Sequence, residues 1–331
     1  MEIRDRVIVI TGASSGLGRA LAFELAGRGA RLALAARREE ALEDVAARCQ
    51  QLGGAAIVVP TDVTIEAEVA QLAQTVVDRW GRLDVWINNA GVTLYAPLIT
   101  GDIEQHRRVI ETNLWGYVFG ARAAVPIFRR QHAGILINVG SVLSEVGQPF
   151  VPSYVISKFA VHGLSETLRV ELANEPAIHV CTAMPYAVDT PHFQVAANAI
   201  GKTPRAMPPV QAPEKVARAI AKLVERPRRT MFVPRAIVLG LALHRLFPRT
   251  VERLLLDSLR RWHVSEEPEQ TGDGNLYEPE GDAKVHGDRP PQLSTPQFFG
   301  WVAARLVRNE VEAIGRLAKR ATGRAAQGRG A

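Results

Sequence analysis

The stretch "VIVITGASSGLGRALAFELA", residues 7–26, decides the fold. It opens with a β-branched run, Val7 to Thr11, closes in a helical pattern, and sets Gly12, Gly16 and Gly18 between the two. Glycine permits a tight turn and lets the backbone approach a ligand closely. A helix starting on such a turn presents unpaired N–H groups and a partial positive charge. A pyrophosphate fits that place. The spacing is G-x-x-x-G-x-G rather than the G-x-G-x-x-G of the usual dinucleotide fingerprint. The position directly after a first strand therefore carries more of the reading than the glycine count does.

Outward from this unit, short aliphatic runs alternate with longer helical patterns: 7–11, 31–36, 55–60, 83–88, 134–139, 178–184 and 230–233. Such alternation predicts an α/β domain, a doubly wound seven-stranded parallel sheet with helices on both faces, over residues 1–235. Composition is that of a globular protein, 47% apolar and 22% charged over 331 residues. The cysteines, Cys49 and Cys181, are far apart and sit in or beside apolar runs, so neither a disulfide framework nor a metal site is expected, and a cytoplasmic setting fits. The charged N-terminus does not read as a secretory signal, and no apolar run reaches the roughly 18 residues of a spanning helix.

Net charge is +6, and its distribution divides the chain. Residues 1–225 hold 22 basic and 22 acidic side chains, 226–262 hold 9 and 2, 263–296 hold 2 and 8, and 297–331 hold 7 and 2. Residues 236–262 read as a helical extension, two helices broken at Pro248. Residues 263–296, rich in Pro, Gly, Asp and Glu without periodicity, read as a solvated linker or loosely packed loop. Residues 297–331 read as a basic amphipathic helix, with Phe298, Val302, Leu306, Val311, Ile314 and Leu317 on its apolar side, and a flexible tail.

At the end of the second strand, where a carboxylate would hold the adenosine ribose of NAD, the chain carries Arg37 and Arg38. Basic residues there favour the 2′-phosphate of NADP(H), with NAD(H) as the lesser expectation. Alternatively, the two arginines merely open a solvated helix.

Further motifs follow in order: "DV" at 62–63, "NNAG" at 88–91, Asn113 in "ETNLWG", Ser141 in "NVGSV" and "YVISK" at 154–158. With "TGASSGLG" at 11–18 they resemble the short-chain dehydrogenase/reductase family, single-domain Rossmann-type oxidoreductases, over about residues 5 to 235. The resemblance implies a catalytic set of Asn113, Ser141, Tyr154 and Lys158. It also implies a cofactor site from Gly12, Ser14, Ser15, Gly16, Leu17, Gly18, Arg37, Arg38, Asp62, Val63, Asn89, Ala90, Gly91, Tyr154, Lys158, Pro185, Val188 and Thr190. Asp62 would contact the adenine, or simply cap the following helix; Asn88 could be purely structural. The resemblance further gives Lys158 a hold on the nicotinamide ribose, and Asn113 a water that links the lysine to solvent.

The chemistry agrees with those assignments. Hydride addition to a carbonyl leaves charge on its oxygen, and a phenol can protonate it. Lys158 follows Tyr154 by one helical turn, and an ammonium about 5 Å away at an effective dielectric of 20 is worth on the order of 3 kcal/mol, about 2 pK units. The expected phenol pKa is thus near neutral.

One position departs from the family pattern: "MPYAVDTP" carries Tyr186 where glycine is usual, and it reads as a wall of the pocket. The glycine spacing fits simple reductases rather than sugar-nucleotide epimerases. Segments 143–153 and 192–210, with Leu143, Tyr186 and Phe193, would line a pocket for an apolar carbonyl or alcohol. The rival is a catalytically idle sensor of NADP(H), disfavoured by the intact Ser141, Tyr154 and Lys158. The C-terminal basic helices either pack on the body or an oligomer interface, or touch an anionic membrane. Family resemblance implies a homodimer or homotetramer, and nothing points to nucleic acid.

Overall fold

The computed structural model describes residues 2–305. All seven expected strands form one parallel sheet, in the order Thr230–Val233, Ile178–Pro185, Gly134–Val139, Val85–Asn88, Val7–Thr11, Arg31–Ala36 and Ala55–Pro60. The fourth begins at Val85 rather than residue 83. The first strand pairs with both the second and the fourth, so the chain reverses its direction of winding there and leaves a crevice at the strand ends.

Alternation along the strands assigns the two cores. Ile8, Ile10, Leu32 and Leu34 face one side with Leu21, Val45 and Ile220, from the helices Gly16–Ala26, Glu39–Gln51 and Pro213–Glu225. Val7, Val9, Ala33 and Trp86 face the other with Val76 and Phe128, from Glu66–Trp80 and Gly116–Gln131. With both faces covered, the strands are continuous apolar runs.

Polar groups inside the second core are paired. Asn88 Oδ1 accepts from Trp86 Nε1 at 2.7 Å, and Asn88 Nδ2 donates to Tyr117 O and to Asn138 Oδ1 at 2.9 Å. Asn88 is thus a structural residue, one of the two readings its motif allows. Gly120 lets the helix lie against this pair: a Cβ there would stand 2.2 Å from Asn88 Oδ1.

Beyond the sheet, Ile237–Leu246 and Pro248–Ser258 are helices broken at Pro248, as expected. The reading of 263–296 as a solvated linker is corrected. Val264–Pro268 is a strand antiparallel to Lys202–Pro204, and Leu276 is fully buried with Val92, Leu94, Ala96, Val109 and Ala197. Its acidic groups have partners: Glu266 meets Lys202, Glu267 meets Arg205, and Glu269 meets Arg289. The segment packs without periodicity because its backbone carbonyls are satisfied by arginines elsewhere in the chain, which composition cannot reveal. Residues 295–305 are helical, with Trp301 edge-on to Trp262 at 4.6 Å; Leu306, Val311, Ile314 and Leu317 lie outside the described residues. Among the described residues no helix is long and apolar enough to cross a membrane.

Candidate active site

The crevice holds a cleft of about 320 Å³. At one end lies the glycine turn, with Gly12 at φ +67° and Gly16 at φ +52°. A side chain at Gly12 would stand 2.8 Å from Ala90 Cα, and one at Gly18 2.1 Å from Gly12 O. The turn is pinned to "NNAG" by one hydroxyl, Thr11 Oγ1, which accepts from Asn89 N at 3.0 Å and Ala90 N at 3.1 Å. Asn89 Nδ2 donates to Thr11 O at 2.9 Å. Ser15 precedes the helix without a side-chain cap, so its first turn keeps its N–H groups from the usual hydroxyl partner.

Ser14, Leu17, Arg37, Arg38, Asp62, Val63, Gly91, Pro185, Val188 and Thr190 all border the same cleft. Asp62 is not a helix cap: the helix starts at Glu66 after Ile65, and Asp62 Oδ1 instead accepts from Thr64 N at 2.9 Å and Thr64 Oγ1 at 2.7 Å. Burial works to raise its carboxyl, but the Thr64 bonds and the Arg108 guanidinium at 3.0 Å outweigh it and hold the pKa low. Burial lowers the pKa of Arg37, whose guanidinium donates to the carbonyls of Asn275, at 2.8 Å, and of Leu276 and Tyr277.

At the other end stand Ser141, Tyr154 and Lys158 of the four expected catalytic residues; Asn113 is fully buried behind them and does not border the cleft. Ser141 lies two residues beyond the strand Gly134–Val139 and caps the short turn Val142–Ser144, its hydroxyl accepting from Leu143 N at 3.1 Å. Tyr154 and Lys158 lie on the helix Pro152–Glu171. Asn113 sits where the helical path widens, at Glu111–Trp115, a device common at functional sites. Its Oδ1 accepts from Val92 N at 2.8 Å, and its Nδ2 donates to Val92 O at 2.9 Å and to Ser157 Oγ at 3.1 Å. Ser157 in turn donates to Tyr154 O at 2.7 Å. Asn113 therefore staples the "NNAG" turn to the helix that bears Tyr154.

The expected electrostatics of the Tyr154–Lys158 pair need correction. Lys158 Nζ is 5.5 Å from the Tyr154 ring centre, close to the assumed separation, yet burial dominates both groups. Burial pushes the phenol up to about 12 against the hydrogen bond from Ser141, and pushes the ammonium down to about 7. Lys158 Nζ donates to Val139 O at 2.9 Å and to Tyr117 Oη at 3.3 Å.

Several residues escaped sequence reasoning. Tyr117, in the same "ETNLWGYVFG" run as Asn113, donates to Val139 O at 3.0 Å and so shares the lysine's acceptor. His192, two residues after Thr190, lies 2.6 Å from Thr93 Oγ1 with its ring 5.9 Å from Tyr154; burial, then Lys158, lower its pKa to about 4. His263 comes from the segment expected to be a linker. It packs against Tyr95 at 5.5 Å and Phe193 at 6.3 Å, and burial lowers it to about 4. Leu143 and Phe193 line the cleft as expected. Tyr186 also lines it, while its ring packs with Val142, Val146 and Leu241. The helical extension thus supplies the packing partner for the side chain that replaces glycine.

Comparison with known proteins agrees with this geometry. A family model described as short chain dehydrogenase matches residues 6–200. An uncharacterized oxidoreductase of Bacillus subtilis, YxnA, is 39% identical over 77% of this chain and 72% of its own length. Among solved structures, a short-chain dehydrogenase/reductase of Burkholderia phymatum in complex with NAD superposes with a TM-score of 0.68 at 27% identity, covering 76% of this chain and 96% of that one. An alcohol dehydrogenase of Thermococcus sibiricus complexed with 5-hydroxy-NADP gives 0.61 at 28% identity, with coverage of 69% and 96%.

The buried lysine makes a testable demand on stability. A lysine whose folded pKa lies near 7, below its unfolded 10.5, is unprotonated when folded and protonated when unfolded between those values. Stability must then rise with pH across that window. Wild-type protein should gain on Lys158→Met by on the order of a few kcal/mol between about pH 7 and pH 10, read from urea midpoints. A pH-independent difference would show that the ammonium is not desolvated.

Proposed function

The chain belongs to the short-chain dehydrogenase/reductase family, and we propose that it is an NADP(H)-dependent enzyme interconverting a carbonyl and a secondary alcohol on an apolar small molecule. The observation that carries this reading is that Ser141, Tyr154 and Lys158 border the same cleft as the glycine turn. A nicotinamide dinucleotide, when bound, supplies or takes up the hydride. In reduction Tyr154 passes its phenolic proton to the carbonyl oxygen as the carbon is reduced; in oxidation it removes the hydroxyl proton. Ser141 hydrogen-bonds the same oxygen and fixes its position. Lys158, with Nζ 5.5 Å from the Tyr154 ring, stabilises in its ammonium form the phenolate left when the phenol gives up its proton.

Support for NADP(H) comes from the end of the second strand, where Arg37 and Arg38 border the cleft and no carboxylate follows until Glu39. Support for an apolar, uncharged substrate comes from Leu143, Phe193, Tyr186 and Met207, with two imidazoles held neutral beside them.

A second reading places the enzyme on an anionic membrane surface. On Ile237–Leu246 the side chains of Val238, Leu239, Leu243 and Leu246 are exposed, with Phe247 following, and only Leu241 is buried. Arg235, Arg249 and Arg253, exposed on and beside this helix, suit anionic headgroups, while Arg245 pairs with Glu145 at 2.8 Å. Leu241 packs beside Tyr186 and Leu143, so the same helix leads from the surface to the substrate wall.

Three outcomes are expected. Tyr154→Phe should lose turnover by roughly 10²–10⁴-fold in a carbonyl screen read at the nicotinamide absorbance while still binding NADPH; unchanged turnover removes Tyr154 from the chemistry. Arg37→Ala should weaken NADPH far more than NADH in fluorescence titrations, and equal losses would refute its role in reading the 2′-phosphate. Leu239→Ser with Leu243→Ser should abolish cosedimentation with phosphatidylserine vesicles; wild-type protein that stays in the supernatant eliminates the membrane reading.

A further inference from the structure

Residues 272–289 run back across the cleft from the substrate side to the glycine turn. The path starts at a backbone pair between Gly272 and Asn198, 2.9 Å in each direction, and at Asn275 N to Val195 O, 2.8 Å. The carbonyls of Asn275, Leu276 and Tyr277 then take the guanidinium of Arg37, and Leu276 O also takes Arg108 Nε at 3.1 Å. Further along, Gly281 O accepts from Arg38 and Ala283 O from Arg19. Lys284 O accepts from Gly16 N at 2.8 Å, an amide of the glycine turn itself. The segment ends against the far rim: His286 bridges Asp189 at 3.0 Å and Glu214 at 2.8 Å, and Arg289 donates to Phe193 O at 3.0 Å.

The cations and the amide at the phosphate and adenosine end of the cleft are thus engaged by the carbonyls of one segment, which also lines the cleft with Asn275, Pro279, Glu280 and Asp282. How it is held matters as much as where it lies. Leu276 is its one fully buried side chain, and from Tyr277 to Arg289 every residue is exposed or only partly covered. Val285, partly buried against the core, is its one apolar contact between Leu276 and Arg289; the other contacts are polar and readily exchanged for water, which puts the segment at the low-stability end of the structure.

We propose that residues 277–288 form a strap that gates the cofactor site, so that a dinucleotide enters and leaves only while Arg19, Arg37, Arg38 and Gly16 are released from the strap carbonyls. This rests on the cofactor reading above. A wall that merely touches bound cofactor would slow its departure alone; a gate slows arrival and departure together.

The test is stopped-flow NADPH binding to the full chain, comparing wild type with His286→Ala and, separately, Arg289→Ala. Both substitutions loosen the far end of the strap and leave the arginines and glycines of the cleft intact. The expected result is a several-fold rise in both the association and the dissociation rate constants, with a smaller change in Kd. Faster dissociation at unchanged association makes the strap a wall and overturns the gate, as do two unchanged rates. A second measurement covers a variant that fails to fold: tryptic cleavage of wild-type protein after Lys284 should quicken on saturation with NADPH, which takes Arg37, Arg38 and Gly16 N from the strap carbonyls, and equal cleavage with and without it contradicts the proposal. If wild-type protein binds neither NADPH nor NADH at equilibrium, the cofactor reading fails instead.

Discussion

The site depends on the junction of two turns, with the Thr11 hydroxyl at its centre. Thr11 Oγ1, 1% exposed at the end of the first strand, accepts from two successive amides, Asn89 and Ala90, at the end of the fourth. These strands are neighbours in the sheet, but their outgoing connections diverge to opposite faces, so nothing in sheet pairing itself holds the turns together. The hydroxyl does, together with Asn89 Nδ2 donating to Thr11 O and Gly12 O, bringing Gly12 to a separation from Ala90 that no Cβ could enter. From that weld the rest is laid out in sequence: "NNAG" is stapled by Asn113 to Ser157, Ser157 to Tyr154, and Tyr154 reaches Ser141 just beyond the next strand. A chain of hydrogen bonds thus carries position from the phosphate end of the cleft to its reacting end.

Most of the sheet was legible because a parallel sheet covered on both faces writes itself as uninterrupted apolar runs, and seven such runs are present. The glycine turn was legible from its place between the first strand and a helix, and Ser141, Tyr154 and Lys158 from the family resemblance of their motifs. What stayed hidden came from distant sequence. His263 reaches the cleft through the pairing of Val264–Pro268 with Lys202–Pro204, and no local pattern announces that pairing. The 263–296 segment looks like a linker because its order is borrowed from Arg19, Arg37, Arg38 and Arg108, more than 150 residues earlier. The sign of the Tyr154 shift was hidden for another reason: a spacing on a helix gives a Coulomb term, but not the desolvation that opposes it.

Burial divides the cleft electrically. At the reacting end Tyr154, Lys158, His192 and His263 are all pushed toward their neutral forms, while Arg37, Arg38 and Asp62 keep the opposite end charged. A phosphate-bearing molecule is therefore oriented by one end, and charge created at the other meets few competing ions. The lysine shares Val139 O with Tyr117 Oη, so its proton sits in a short polar network rather than in open solvent.

Tyr186 has a consequence for the boundaries of the protein. Where the family pattern has glycine, this chain places a phenol ring against Val142, Val146 and Leu241, and Leu241 belongs to a helix outside the matched region. The catalytic module and its appendage have therefore become mutually dependent parts. A fragment trimmed to the family core would keep Val142 and Val146 for that ring but lose Leu241 from the cluster. The extension is better regarded as an inner wall that happens to be encoded last.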